Sequence, residues 1–212
     1  MNVSHKHRVV WWAPPRTASR ALSEVLCHYD FFNATIGEHA NLREYPHSHD
    51  CVMPAGLEDY DLLLQVRNPY SRMVSCWHID CFTSPDNEQL VITKDFEKFV
   101  LDGVTGFATN YEETLKKEPK YIVRYEQLAE DVKKLPFVNV NDIWTGFERC
   151  ILNNAYTNEG PHNQTGNLPR NTLNKNYADW QSFYNEKLAE IVYKRFYNQF
   201  IKFNYSKDSW IK

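Results

Sequence analysis

The chain has 212 residues, of which 42% are hydrophobic, 24% charged and 15% aromatic; this suits one α/β domain with a ring-rich core and excludes a disordered chain. A net charge of −3 predicts no general affinity for nucleic acid or acidic membranes, while leaving room for local basic clefts. Cys27, Cys51, Cys76, Cys81 and Cys150 form no C-x-x-C pair. No run reaches the roughly 18 apolar residues of a membrane span, and MNVSHKHRVV lacks the apolar core of a signal peptide, so the expectation is a cytoplasmic protein with free thiols and no transmembrane segment.

In chain order, strand-like and helix-like segments alternate. Val9 to Trp12 is a short continuous apolar run, the pattern of a strand covered on both faces. Ala13 to Arg20, reading APPRTASR, follows as a loop. Ala21, Leu22, Val25, Leu26 and Tyr29 then recur at helical spacing, with Ser19 placed as the cap. Residues 30 to 60 carry many histidines and turn formers and show no clear period. Leu62 to Val66 reads as a second buried strand, ended by Arg67, Asn68 and Pro69; Pro69 suits a first helical turn, and Met73, Val74, Trp77 and Cys81 continue it. The strand, loop, helix layout therefore occurs twice.

Further on, Asp95 to Leu101 predicts a short helix, Tyr121 to Val123 a third strand, and Glu126 to Leu135 and Ile143 to Leu152 two more helices. Asn153 to Lys175, rich in Asn, Gly, Pro and Thr, predicts a long loop, and such loops in compact domains are usually functional. Tyr184, Leu188, Ile191, Val192, Arg195, Phe196, Phe200 and Phe203 step at three and four residues as one closing amphipathic helix. The whole is expected to be a single domain, residues 1–212, with a central parallel sheet flanked by helices and right-handed crossovers.

The loop carries the chemistry. A buried strand ending in a hydroxyl-bearing turn at a helix start aims backbone N–H groups and a positive helix terminus at one spot, which suits an anion. With neither glycine nor lysine, APPRTASR is not a Walker loop. It offers two fixed charges, Arg16 and Arg20, and two hydroxyls, Thr17 and Ser19; on these residues alone, a capped helix with solvated arginines is the alternative. Arg67 at the end of the second strand, and Ser75 about two helical turns on, form a candidate second anion grip at the sheet edge where α/β folds place ligands. Two grips suit a ligand with two separated phosphates.

Together, RTASRAL after a strand, VRNPYSRMVS after a second, IVRYEQL, and a closing helix ending FIKFNY resemble the sulfotransferases that use 3′-phosphoadenosine 5′-phosphosulfate (PAPS), both the small bacterial and viral and the carbohydrate-type members. The resemblance covers nearly the whole chain and implies the P-loop-like sulfotransferase fold. It implies that Arg16, Thr17, Ala18, Ser19 and Arg20 bind the 5′-phosphosulfate, with Arg16 at the position of the family's catalytic lysine or arginine. Arg67 and Ser75 would hold the 3′-phosphate, retained in the product bisphosphoadenosine (PAP), and Tyr125 would touch the adenine. Arg170 or Thr165 would close over the nucleotide. The family usually has glycine where this chain has Ala18; a positive φ there would cost an alanine about 1 kcal/mol.

Transfer also needs a base for the acceptor's proton, and histidine has a suitable intrinsic pKa. His47 and His49, in HSH, resemble a His-x-His element of some carbohydrate sulfotransferases whose second histidine is the base; other branches use glutamate, for which Glu38 and Glu44 are the candidates here. The acceptor implied is a small molecule, a saccharide or another hydroxyl or amine. No metal is implied. Two other readings stay open: a non-catalytic nucleotide-binding protein and an atypical phosphotransferase.

Overall fold

The computed structural model describes residues 1–38, 42, 49, 53–83, 91–92, 94–102, 117–139 and 180–212. In chain order these form β1 (Asn2–Ser4), β2 (Val9–Trp12), α1 (Ser19–Leu26), β3 (Phe32–Asn33), β4 (Asp61–Val66), α2 (Pro69–Cys81), β5 (Phe82–Thr83), β6 (Val91–Ile92), α3 (Phe96–Leu101), β7 (Tyr121–Arg124), α4 (Leu128–Lys133), α5 (Glu186–Arg195) and α6 (Tyr197–Lys202). The expected helix Ile143 to Leu152 and the expected loop Asn153 to Lys175 lie outside the described residues. The chain divides into two compact units, Met1–Arg67 with Tyr111–Ala155, and Asn68–Asn110 with Tyr156–Lys212.

The first unit is built on a five-stranded sheet of order β3-β1-β2-β4-β7. Its two apolar runs lie side by side and parallel, with Trp11 opposite Leu63 and Trp12 opposite Leu64, and β7 adds in parallel with Val123 opposite Gln65. Parallel strands need cover on both faces, and all of β2 and Leu62–Val66 are buried. The sheet is mixed, however, and not wholly parallel as expected. A turn at His5–Arg8, with Arg8 at φ 53°, folds β1 antiparallel onto β2, and β3 pairs antiparallel with β1. The polar residues of β1 find local partners: Asn2 Nδ2 donates to the Trp11 carbonyl at 3.3 Å and Ser4 Oγ to the Tyr29 carbonyl at 3.1 Å.

Helix α1 packs Ala21, Leu22, Val25 and Leu26 against Trp11, Leu63 and Val123, and α4 adds Leu128 and Val132 to the same core. Burial of each such leucine contributes about 1.5–3 kcal/mol. The expected helix Glu126 to Leu135 begins as a 3₁₀ turn, Tyr125–Gln127, before α4. Asp131, 4% exposed on its side chain, accepts from the Arg124 N–H at 3.0 Å and pairs with Arg124 Nη1 at 3.3 Å and Lys134 Nζ at 3.0 Å, tying α4 to β7.

The second unit is a helical group with its own aromatic core. Pro69 opens α2 as expected, and Asn68 Oδ1 accepts from the Tyr70 N–H at 3.0 Å. Asp95 caps α3 by accepting from the Lys98 N–H at 2.7 Å. Tyr70, Phe96, Tyr184 and Phe200 meet edge to face, with Tyr184 Oη donating to the Tyr70 carbonyl at 2.9 Å and Tyr70 Oη to the Lys207 carbonyl at 2.8 Å. Burial pushes both phenols well above their ordinary pKa, so they stay neutral donors. The closing segment is not one helix. A 3₁₀ turn, Trp180–Phe183, precedes α5, which Asn185 caps, and Phe196 at φ −112° and ψ 25° separates α5 from α6. Its side chain stays in the core across the break.

Among the described residues, Cys27 and Cys76 are buried and not joined in a disulfide. No helix among them is long and apolar enough to cross a membrane.

Candidate functional site

The first unit places the loop Ala13–Ala18 at the carboxyl end of β2, running directly into α1. Two of its residues take left-handed backbone, Arg16 at φ 69° and Ala18 at φ 71° and ψ 32°. Thr17, fully buried, donates its hydroxyl to the Pro14 carbonyl at 2.6 Å and so pins the turn. Ser19 was expected to cap α1; instead it is the first helical residue, and the cap position falls to Ala18, whose methyl side chain offers no acceptor. The Ala18 carbonyl accepts from Ala21 and Leu22 at 3.0 and 3.3 Å.

No acceptor among the described residues meets the backbone N–H groups of Thr17, Ala18, Ser19 or Arg20. A left-handed residue followed by right-handed helix turns successive N–H groups toward one concavity, and the helix terminus adds its own partial positive charge. Four donors that meet no acceptor among the described residues, at the head of an eight-residue helix, form a backbone arrangement of the kind that suits an anion.

The left-handed alanine also has a measurable consequence. Ala→Gly normally loses about 0.5–1 kcal/mol by freeing the unfolded chain. At Ala18 the relief of left-handed strain, about 1–2 kcal/mol, should offset that loss. A18G is therefore expected to unfold within about 0.5 kcal/mol of the parent or above it, whereas A21G inside α1 should lose about 1 kcal/mol or more. Urea unfolding of the two variants tests this, and equal losses would mean that Ala18 is not strained.

Arg67, directly after β4, is 7% exposed. Its guanidinium lies over the Tyr125 ring at 4.1 Å and donates from Nη1 to the Arg16 carbonyl at 3.3 Å. The stacking follows from register: Val66 pairs with Arg124, so the next residues, Arg67 and Tyr125, are neighbours at the sheet's carboxyl edge. Stacking of this kind suits guanidinium better than ammonium. Arg16 is half-buried and Arg20 exposed.

His49 reaches the same edge. Its Nδ1 lies 2.6 Å from the Ala13 carbonyl, and its own carbonyl accepts from Trp12 Nε1 at 3.3 Å. A carbonyl can only accept, so Nδ1 carries a proton, and in a neutral ring the lone pair then falls on Nε2. Glu38 does not share this edge. It pairs with His5 Nε2 at 3.3 Å, and His5 lies in the turn before β2, at the far end of that strand.

Arg16, Thr17, Ala18, Ser19, Arg20, Arg67, Tyr125 and His49 are thus brought to one edge of one sheet. Ser75 lies in α2 of the second unit and is fully buried there. His47, Glu44, Thr165 and Arg170 lie outside the described residues. The linkage of Arg67 to both Tyr125 and the Arg16 carbonyl was not foreseen, although strand register was the signal that carried it. Compared with protein-family models, with curated proteins and with solved structures, the chain matches none.

Proposed function

We propose that the chain is a sulfotransferase that moves a sulfuryl group from PAPS to a hydroxyl or amine of a small-molecule or saccharide acceptor. The observation that carries this reading is the run of N–H groups from Thr17 to Arg20 that meet no acceptor among the described residues, set beside a stacked, loop-bound Arg67. Sulfate and phosphate esters present the peripheral oxygens such a cradle accepts. The resemblance of RTASRAL, VRNPYSRMVS and IVRYEQL to the PAPS-dependent family supplies the identity of the donor.

When bound, the nucleotide supplies the sulfuryl group and a phosphate leaving group. The chain's residues do the rest. The cradle and Arg16 hold the 5′ end and balance the charge that grows on the leaving oxygen, as in other in-line transfers dominated by positioning and electrostatics. Arg67 takes the 3′-phosphate, and Tyr125 offers its ring to the base. The Nε2 of His49 takes the acceptor's proton as its oxygen or nitrogen attacks sulfur.

The test is differential. Arg67→Ala should weaken binding of bisphosphoadenosine by about tenfold or more, since hydrogen bonds to charged groups contribute about 1.5–3 kcal/mol, while binding of adenosine 5′-monophosphate changes little. Equal losses for both nucleotides would remove Arg67 from the 3′-phosphate. Bisphosphoadenosine binding without transfer of labelled sulfate to any hydroxyl or amine acceptor would leave a nucleotide-binding module in place of an enzyme.

A further inference from the structure

The central strand β4 carries one side chain that its surroundings do not explain. Gln65 is fully buried, and neither atom of its amide has a hydrogen-bond partner among the described residues. A primary amide without partners in a protein interior bears its full desolvation penalty, and native structures rarely leave such a group uncompensated.

Its position follows from pleat and register. Side chains alternate across a strand, so Gln65 shares a face with Leu63, and Leu63 packs in the core beneath α1. Trp12 pairs with Leu64, which makes Ala13 the neighbour of Gln65 on one side; Val123 pairs with it on the other. Ala13 and Val123 both belong to that same core. The loop leaves the sheet at Ala13, so the amide lies in the last buried row under the loop, about 6.6 Å along the strand from Arg67 on the same face. Leucine, valine or isoleucine would satisfy a purely apolar row. A carboxylate would repel an anion held above it, whereas an amide adds an N–H of the same polarity as the cradle.

We propose that Gln65 is a positioning residue of the anion site: its side-chain Nε2–H donates to the anion held by the Thr17–Arg20 N–H groups, directly or through one water. The inference rests on the anion cradle of the proposed function, and it does not depend on which nucleotide carries the anion.

Calorimetric titration of the whole chain with bisphosphoadenosine and, separately, with inorganic pyrophosphate tests it, alongside thermal unfolding without ligand. Q65M, close in shape and apolar, should unfold without ligand at or above the parent's temperature and bind the anion about tenfold more weakly. Q65E, close in shape and ionisable, should bind progressively worse than the parent between pH 4 and pH 7, the affinity recovering at the acid end. Unchanged affinity in Q65M, or lower ligand-free stability in a Q65M that folds, would overturn the role; should Q65M fail to fold, a Q65E profile parallel to the parent's would do so. A parent that binds pyrophosphate but not bisphosphoadenosine sinks the nucleotide reading and leaves Gln65 to be judged on pyrophosphate. A parent that binds neither sinks both.

Discussion

His49→Ala should lower sulfuryl transfer by about a hundred to ten thousand fold, the usual contribution of a placed general base, and leave bisphosphoadenosine affinity within about twofold. The expectation comes from the way the ring is held. Its Nδ1–H donates to the Ala13 carbonyl at 2.6 Å, which in a neutral ring puts the lone pair on Nε2. The backbone at His49 is tied separately, through Trp12 Nε1, so removing the ring should not release the segment. Single-turnover transfer to an acceptor, with nucleotide affinity measured in parallel, separates chemistry from binding. Transfer within tenfold of the parent would place the base elsewhere, His47 being the next residue to test.

Arg16→Ala should cost about a hundredfold or more in turnover, since one donor to a developing oxyanion is typically worth about 3 kcal/mol. Arg16 already sits in left-handed backbone at φ 69°, and alanine is no better suited to that conformation than arginine. The variant thus changes the side chain without changing backbone strain. The Arg16 carbonyl also remains available to Arg67, which keeps the loop's link to β4. R16K, which retains a charge but not the planar fork, should recover part of the rate. A near-normal rate in the alanine variant would show that the backbone N–H groups alone stabilise the leaving oxygen.

The parts of the fold visible in the sequence were those whose cause is local. The apolar runs Val9–Trp12 and Leu62–Val66 are strands because short, continuous apolar runs of that length suit strands covered on both faces, and Pro69 marks a helix start because its missing N–H costs nothing there. β1 was not visible because three residues, Asn2, Val3 and Ser4, are too short a run to show a period; they form a strand by pairing with β2 and β3, and the side chains of Asn2 and Ser4 donate to the carbonyls of Trp11 and Tyr29. The closing helix was read too long because its periodicity survives the break in helical backbone at Phe196.

In the site, the sequence named the arginines but not their relation. Arg67 and Tyr125 are 58 positions apart in number and adjacent only through the pairing of β4 with β7. Gln65 drew no notice for a related reason: within LLLQV it looks like one polar residue in a strand, and its meaning lies in the row it shares with Ala13 and Val123.

The carbonyls of the loop lead to a conclusion about ion discrimination. Those of Ala13, Pro14, Arg16 and Ala18 are each occupied by a protein donor. Sodium, potassium and magnesium coordinate through oxygen, and these four carbonyls have part of their acceptor capacity already taken by protein donors. On the proposed reading the loop should discriminate by sign: chloride, sulfate and phosphate in the medium are expected to compete with the nucleotide, and exchanging sodium for potassium is expected to change its affinity far less.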